Sequence, residues 1–357
     1  MTSQETRLGD LGEAELIRHL QGRIPAAPDV PVGIGDDAAA VSLQPSALVT
    51  VDSLVEGVHF LRDSAPARLL GRKALTVNLS DIAAMGGISR HALVSLCLPQ
   101  QIELSWLDSL YDGLLERAAE VGVSIVGGNV ARSPEAIVVD ITLLGEAEKP
   151  LLRSGAQPGD LVVVTGELGA AAEGVQLLRH GARLDGDGEL SATGVWTESS
   201  SEAVHACLRA QLDPRPPLAL ARSLGERGLA RAGMDLSDGL SSDLAELCRR
   251  GDLGARVEAD AVPVSTAVSR LEHARGGDAL SLALHGGEDY ELLLAVDPAR
   301  FEELKELAGV WGVPICAIGE FFEGEPMGRL RDETGDRPMP AGGHDHFLAN
   351  GLEGRTE

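Results

Sequence analysis

Apolar positions along this 357-residue chain recur either in short unbroken runs or at helical spacing, and their order sketches two mixed halves. In the first half, the runs at 38–43, 47–52, 91–98, 122–127 and 136–144 read as strands. The stretches 12–21, 66–86 and 103–121 carry the helical period. Residues 146–160, EAEKPLLRSGAQPGD, are polar and broken by proline and glycine, which marks a boundary. A strand at 161–166 and a helix at 168–180 restart the pattern. Helices at 202–210, 216–227, 239–250, 265–275 and 299–308 then alternate with strands at 255–259, 290–296 and 313–319. Residues 181–201 read as a mobile excursion, and the Gly- and Pro-rich 322–357 as irregular. The expected fold class is α/β (α+β), with domains at 1–148 and 149–357.

Composition narrows the function classes. Hydrophobic residues make up 44% and charged residues 24%, which is globular. A net charge of −25 excludes nucleic acid and anionic membrane as expected partners. It also means that a nucleotide would need divalent cations to bridge the two sets of negative charges. No apolar run reaches membrane-spanning length, and MTSQETRLGDLGE lacks the basic start and apolar core of a signal peptide. Four well-separated cysteines without a CxxC pair read as reduced thiols in a cytoplasmic protein.

The chemistry lies in acids that sit in apolar or glycine-rich company: GIGDDAAAV (33–41), LVTVDSLVEGVHF (48–60), ALTVNLSDIAAMGG (74–87) and AGMDLSDGLSSDL (232–244). A carboxylate among Val, Leu, Ala and Gly is tolerated only when paired, hydrogen-bonded or metal-bound. Asp36 and Asp37 follow two turn-forming glycines. Thr50 and Asp52 alternate along a strand and share a face, a hydroxyl and a carboxylate suited to Mg²⁺. Asp81 closes a helical run with Asn78 one turn earlier, and His59 lies seven residues beyond Asp52. GGN at 127–129 is expected to follow a strand. Arg153 beside a glycine turn suits a phosphate oxygen or, equally, an exposed linker position. Asp235, Ser237 and Asp238 fall between a strand and a helix N-terminus, and HGGEDYEL (285–292) adds Glu288 and Asp289 after a glycine pair. Flanking glycines suggest close approach of a phosphate, yet GxxxxGK[ST], GxGxxG, HRD and DFG are all absent.

GIGDDAA, TVDSLVEGVHF, NLSDIAAMG, RSGA-PGD, DLSDGL, GGEDYEL and a closing G-x-DHF occur in order across residues 8–348. In this the chain resembles the thiamine-monophosphate kinase family, within the superfamily of aminoimidazole ribonucleotide synthetase, selenophosphate synthetase and a hydrogenase-maturation protein. The resemblance implies an aminoimidazole-ribonucleotide-synthetase-like fold of two domains, with N-terminal sheets pairing across a homodimer. It implies ATP-dependent phosphorylation of thiamine monophosphate to thiamine diphosphate, assisted by several Mg²⁺ ions. Carried over by position, Asp36, Thr50, Val51 (through its carbonyl), Asp52, Asp81, Asp235 and Asp238 would be metal ligands. Tyr111, Gly128, Asn129, Arg153 and Ser237 would contact ATP, and His59, Glu288 and His344 the thiamine phosphate. Asp52, Asp81, Asp235 and Asp238 would carry catalysis through those ions. Two departures stand out. Asn129 replaces a frequent aspartate, leaving an uncharged amide oxygen as the only metal donor there, and His344 replaces an aromatic residue. The purine-synthesis member of the superfamily and a non-catalytic nucleotide-binding homologue are the competing readings.

Overall fold

The computed structural model describes residues 19–25, 27–28, 30, 47–339 and 342–343. The strand expected at 38–43, most of the first helix, Asp36, Asp37 and His344 lie outside the described residues. Contacts divide the chain into a first unit (1–82, 88–148 and 184–189) and a second (83–87, 149–183 and 190–357).

The first unit is a four-stranded sheet in the order β1-β4-β2-β3, built from β1 (Ala47–Val55), β2 (Ile88–Pro99), β3 (Ser124–Ser133) and β4 (Val138–Glu146). Only β2 and β3 pair in parallel. Alternate positions are buried (Leu48 and Leu54 on β1; Val139, Ile141 and Leu143 on β4), so one face carries the core. The other is more open, with Val49 65% and Val51 57% exposed. Two helices, α1 (Ala67–Ala84) and α2 (Leu104–Val121), follow β1 and β2. They cross backbone to backbone. A Cβ on Gly71 would stand 1.9 Å from Leu110 O, and one on Gly113 1.7 Å from Arg68 O. Around that crossing, Arg68 and Arg72 of α1 pair with Glu116 and Glu120 of α2.

The second unit is built on a seven-stranded sheet in the order β13-β12-β9-β11-β5-β10-β8. Its strands are β5 (Leu161–Thr165), β8 (Ala232–Asp235), β9 (Gly254–Glu258), β10 (Leu292–Val296), β11 (Ile315–Phe322), β12 (Gly328–Asp332) and β13 (Gly335–Pro338). Both faces of the central strands are buried. Val162, Val164, Leu293 and Ala295 join one core, with Leu240, Leu244 and Leu247 of α6 (Leu240–Gly251). Val163, Leu292, Leu294 and Val296 join another, with α5 (Leu218–Arg227) and α9 (Phe301–Trp311). That is why LVVVT and LLLAV are unbroken apolar runs although the sheet is mostly antiparallel. α3 (Ala170–Arg179) packs on α4 (Ser201–Leu212), which packs on α7 (Thr266–Arg275), and α8 (Ala279–His285) packs on α6.

Three expectations change. The polar segment 322–339 is no irregular tail, because it supplies β12 and β13, the last two strands at one side of the sheet. The excursion at 181–201 is a small hairpin, β6 (Ala182–Leu184) with β7 (Leu190–Thr193), and it ends at Trp196 under the Arg275 guanidinium, 5.3 Å from the ring centroid. β3 runs through GGN rather than ending before it. The four cysteines are free. Among the described residues no helix is long and apolar enough to cross a membrane.

The sequence ED-Y-E places two acids behind β10 that serve the fold. Asp289 accepts from Gly169 N at 3.0 and 3.1 Å and so caps α3, and desolvation pushes its carboxyl well above the usual range. Glu291 accepts from the Thr165 hydroxyl, and desolvation raises its carboxyl from 4.5 to about 7. The folded chain therefore holds a proton on Glu291 that the unfolded chain releases near pH 4.5, so this contribution to stability falls as pH rises toward 7. A shift of that size corresponds to about 3 kcal/mol, reduced to roughly 2 by the solvent that still reaches the residue. Urea unfolding at pH 5 and pH 7.5 should show Glu291→Gln losing about 2 kcal/mol less than the wild type between the two. Equal losses would show that Glu291 ionises freely in the fold.

Candidate active site

In the first unit the strand and helix bring one predicted pair together. β1 turns Thr50 and Asp52 toward the buried side of the sheet, in step with Leu48 and Leu54. Asp81 lies in the last turn of α1, inside the helix and not at its N-cap. The Thr50 hydroxyl donates to Asp81 Oδ2 at 2.5 Å across 31 residues of sequence. Val51 points its side chain to the other, exposed face, so only its backbone carbonyl could join them. Beyond β1 the chain turns through Gly57, whose φ is 87°, and His59 folds back: Val55 N donates to its Nδ1 at 3.0 Å. That bond puts the ring proton on Nε2 and makes the outer nitrogen a donor.

Gly128 and Asn129 lie in β3, with Asn129 opposite Ser95 and exposed. Gly128 is required by the sheet itself, since a Cβ would come 1.8 Å from Val94 O. Tyr111 is 3% exposed in α2, and burial raises its hydroxyl above the ordinary range. At most the edge of its ring can reach a ligand.

The second unit gathers its residues by extending a strand pair. β8 and β10 pair antiparallel, with Asp235 opposite Leu292. Bonding continues past the strands: Leu236 N donates to Glu291 O, Tyr290 N to Leu236 O, and Glu288 N to Ser237 O, each at 2.8 Å. DLSDG and GGEDYE therefore run side by side. Their glycines serve this close approach, because a Cβ on Gly287 would lie 2.5 Å from Ser237 O and one on Gly239 2.8 Å from Gly286 O. The close approach gives these glycines a role within the fold itself. Glu288 holds a φ of 65°, unusual for a side-chain-bearing residue, and its Oε2 accepts from Gln211 Nε2 at 2.7 Å.

Asp243, which the sequence did not single out, holds the loop from below. It is 2% exposed and accepts from Asp238 N at 3.2 Å and Gly239 N at 3.1 Å. Desolvation, reinforced by the charges of Asp238 and Asp235, pushes its carboxyl up to about 8. Asp235 is buried at the strand end, while Asp238 is exposed. Its signal was the fourth-residue spacing from Gly239, an acid in the first turn of α6. The C-terminal segment reaches the same turn: Gly342 N donates to Ser241 Oγ at 3.2 Å and Gly343 N to Ser242 Oγ at 3.0 Å. Arg153 is exposed in the linker, whose Leu152 carbonyl accepts from Gly233 N of β8 at 3.0 Å. Among the described residues no three His, Cys, Asp or Glu side chains converge as a metal-binding group. Thr50, Asp52, Asp81, Asp235 and Asp238 nevertheless offer the hard oxygen donors that fit Mg²⁺.

Residues 35–147 match the family described as AIR synthase related protein, N-terminal domain, and residues 157–329 its C-terminal domain. The thiamine-monophosphate kinase of Salmonella typhimurium is 36% identical over 94% of this chain and 98% of its own length. That of Bacillus subtilis is 34% identical over 87% and 91%. A crystal structure of thiamine monophosphate kinase from Aquifex aeolicus superposes with a TM-score of 0.71 at 30% identity, covering 94% of this chain and all of that one. AaThiL complexed with AMPPCP and TMP gives 0.73 at 32% identity, covering 97% of this chain and 100% of that one. The chain thus has the two-domain, mixed α/β fold of the AIR synthase relatives.

If Asp243 works by holding two backbone N–H groups, Asp243→Asn, which keeps an acceptor without charge, should stay within about 1 kcal/mol of the wild type. Asp243→Ala leaves both donors unpaired and should lower the unfolding free energy by about 2 kcal/mol. Chemical denaturation reads both, and equal effects would contradict the bonding role.

Proposed function

The chain belongs to the thiamine-monophosphate kinase family, and from that premise we propose that it transfers the γ-phosphoryl group of ATP to thiamine monophosphate, giving thiamine diphosphate and ADP. One observation carries this reading: a solved relative 32% identical over 97% of this chain is complexed with AMPPCP and TMP together. The family's purine-synthesis cousin is less well supported, because the curated relatives that align over nearly the whole chain are named thiamine-monophosphate kinase.

The acceptor is a phosphate monoester whose second pKa is near ~6, so its oxygens are already anionic at neutral pH. Transfer then needs no general base; it needs two polyanions held in line. Thr50, Asp52 and Asp81 of the first unit, and Asp235 and Asp238 of the second, are the described residues we assign to holding Mg²⁺, with Asp36, the Val51 carbonyl and the Asn129 amide oxygen as further donors. When bound, Mg²⁺ would offset phosphate charge that this acidic protein would otherwise repel. Gly128, Asn129, Arg153, Ser237 and the edge of Tyr111 are assigned to ATP, and His59, Glu288 and His344 to thiamine monophosphate. His59 suits this role because Val55 N donates to its Nδ1, which makes Nε2–H the ring's donor, the group that suits a phosphate oxygen. We assign direct in-line transfer with no phosphoenzyme. The open face of the first sheet, where Val49 and Val51 are exposed, supports pairing into a homodimer. Four free cysteines and the use of ATP support a cytoplasmic location.

Purified protein incubated with ATP, Mg²⁺ and thiamine monophosphate should form thiamine diphosphate and ADP in equal amounts, followed by chromatography. ADP formed only with a different acceptor would overturn the substrate assignment. His59→Ala should raise KM for thiamine monophosphate by about tenfold while keeping most of kcat, as loss of a donor bond to a charged group implies. A fall confined to kcat with a new pH dependence would make His59 a base.

A further inference from the structure

Among the described residues, Gln211 is a buried polar group that the catalytic assignment leaves unused. It lies in the last turn of α4 and is 4% exposed. Its Nε2 donates to Glu288 Oε2 at 2.7 Å, and its Oε1 is buried with no hydrogen-bond partner. α3 makes room for it: at Gly174 a Cβ would come 2.6 Å from Gln211 Cβ and 2.4 Å from Cys207 O.

We infer that Gln211 is a positioning residue for substrate recognition, acting through Glu288. Two unfavourable features meet at this one carboxylate. Half of a buried amide is left unsatisfied, which costs about 1–3 kcal/mol and which a methionine of similar shape would avoid. Glu288 also sits at a φ of 65°, in the left-handed region, held there by Glu288 N donating to Ser237 O. Together they fix where a carboxylate stands beside Ser237 and Asp238. A charge-assisted bond to Oε2 fixes that oxygen and with it the plane of the carboxylate. The ligand chemistry that uses such an acceptor is a cation or an N–H donor. In thiamine monophosphate that is the thiazolium and aminopyrimidine part and not the phosphate. The inference therefore rests on the reading of Glu288 as a substrate contact and adds what orients it.

The test uses Gln211→Met, Glu288→Gln and the double variant of the full-length protein, with KM and kcat for both substrates, calorimetric Kd for thiamine monophosphate and thermal melting. Gln211→Met should raise KM and Kd for thiamine monophosphate by about tenfold, the loss of one charge-assisted bond's worth of orientation. KM for ATP and kcat should stay within about twofold, and the melting temperature should change little, because relief of the orphan oxygen offsets the lost bond to Glu288. In the Glu288→Gln background the Gln211→Met effect should vanish, since the first acts through the second. Unchanged Kd for thiamine monophosphate in Gln211→Met, while Glu288→Gln weakens it, would overturn the positioning role and leave the Glu288 contact standing. A lower melting temperature with unchanged Kd would make Gln211 structural only. Unchanged Kd in Glu288→Gln would overturn the substrate contact itself, and the role of Gln211 with it.

Discussion

The pairing of β8 with β10 is the constraint on which the second unit's chemistry depends. Two strands that simply ended would leave two independent loops, each free to drift. Here the hydrogen bonds run on through Leu236, Ser237, Glu288 and Tyr290, so the loops inherit the register of the sheet. Asp235 and Asp238 on one side and Glu288 on the other are then set by backbone geometry that both buried faces of the sheet stabilise. Asp243 beneath and Gln211 beside them fix the remaining freedom. A site on strand extensions is more exact than one on free loops.

The first unit reaches the same end differently. There the sheet is one-sided, and the acid bonded to Thr50 comes from a helix. Thr50 on β1 and Asp81 on α1 meet because α1 is seated on the sheet and locked against α2 at Gly71 and Gly113. A hydroxyl on a strand and a carboxylate on a helix share one point only if the two elements cannot slide.

Much of this was legible in the chain, for identifiable reasons. LVVVT and LLLAV announced buried strands, and the long periodic stretches announced α1 and α2 to within a few residues. The acids stood out because apolar neighbours make a carboxylate conspicuous. What was missed lacked that contrast. β12 and β13, GRLRD and GDRP, lie at one side of the sheet, and their polar composition hides them among turn residues. α8 is only seven residues long, although Asp278 caps it by accepting from Ser281 N at 3.0 Å. At the glycine pairs, sequence cannot distinguish a backbone that approaches a ligand from one that approaches another backbone. Gln211 was invisible for a related reason: its meaning lies in a partner 77 residues away.

The Gly71–Gly113 crossing bears on how this protein can change over evolutionary time. Most core positions tolerate a methyl group more or less by small movements of neighbouring side chains. At the Gly71 and Gly113 contacts there are no side chains to move, because the first atoms met are backbone carbonyl oxygens and carbons of the facing helix. Substitutional freedom should therefore be lowest at two residues that carry no functional side chain, Gly71 lying about 15 Å along the helix from Asp81. Along α1 the intolerant Gly71 lies near the start, and Asp81, bonded to Thr50, lies in the last turn.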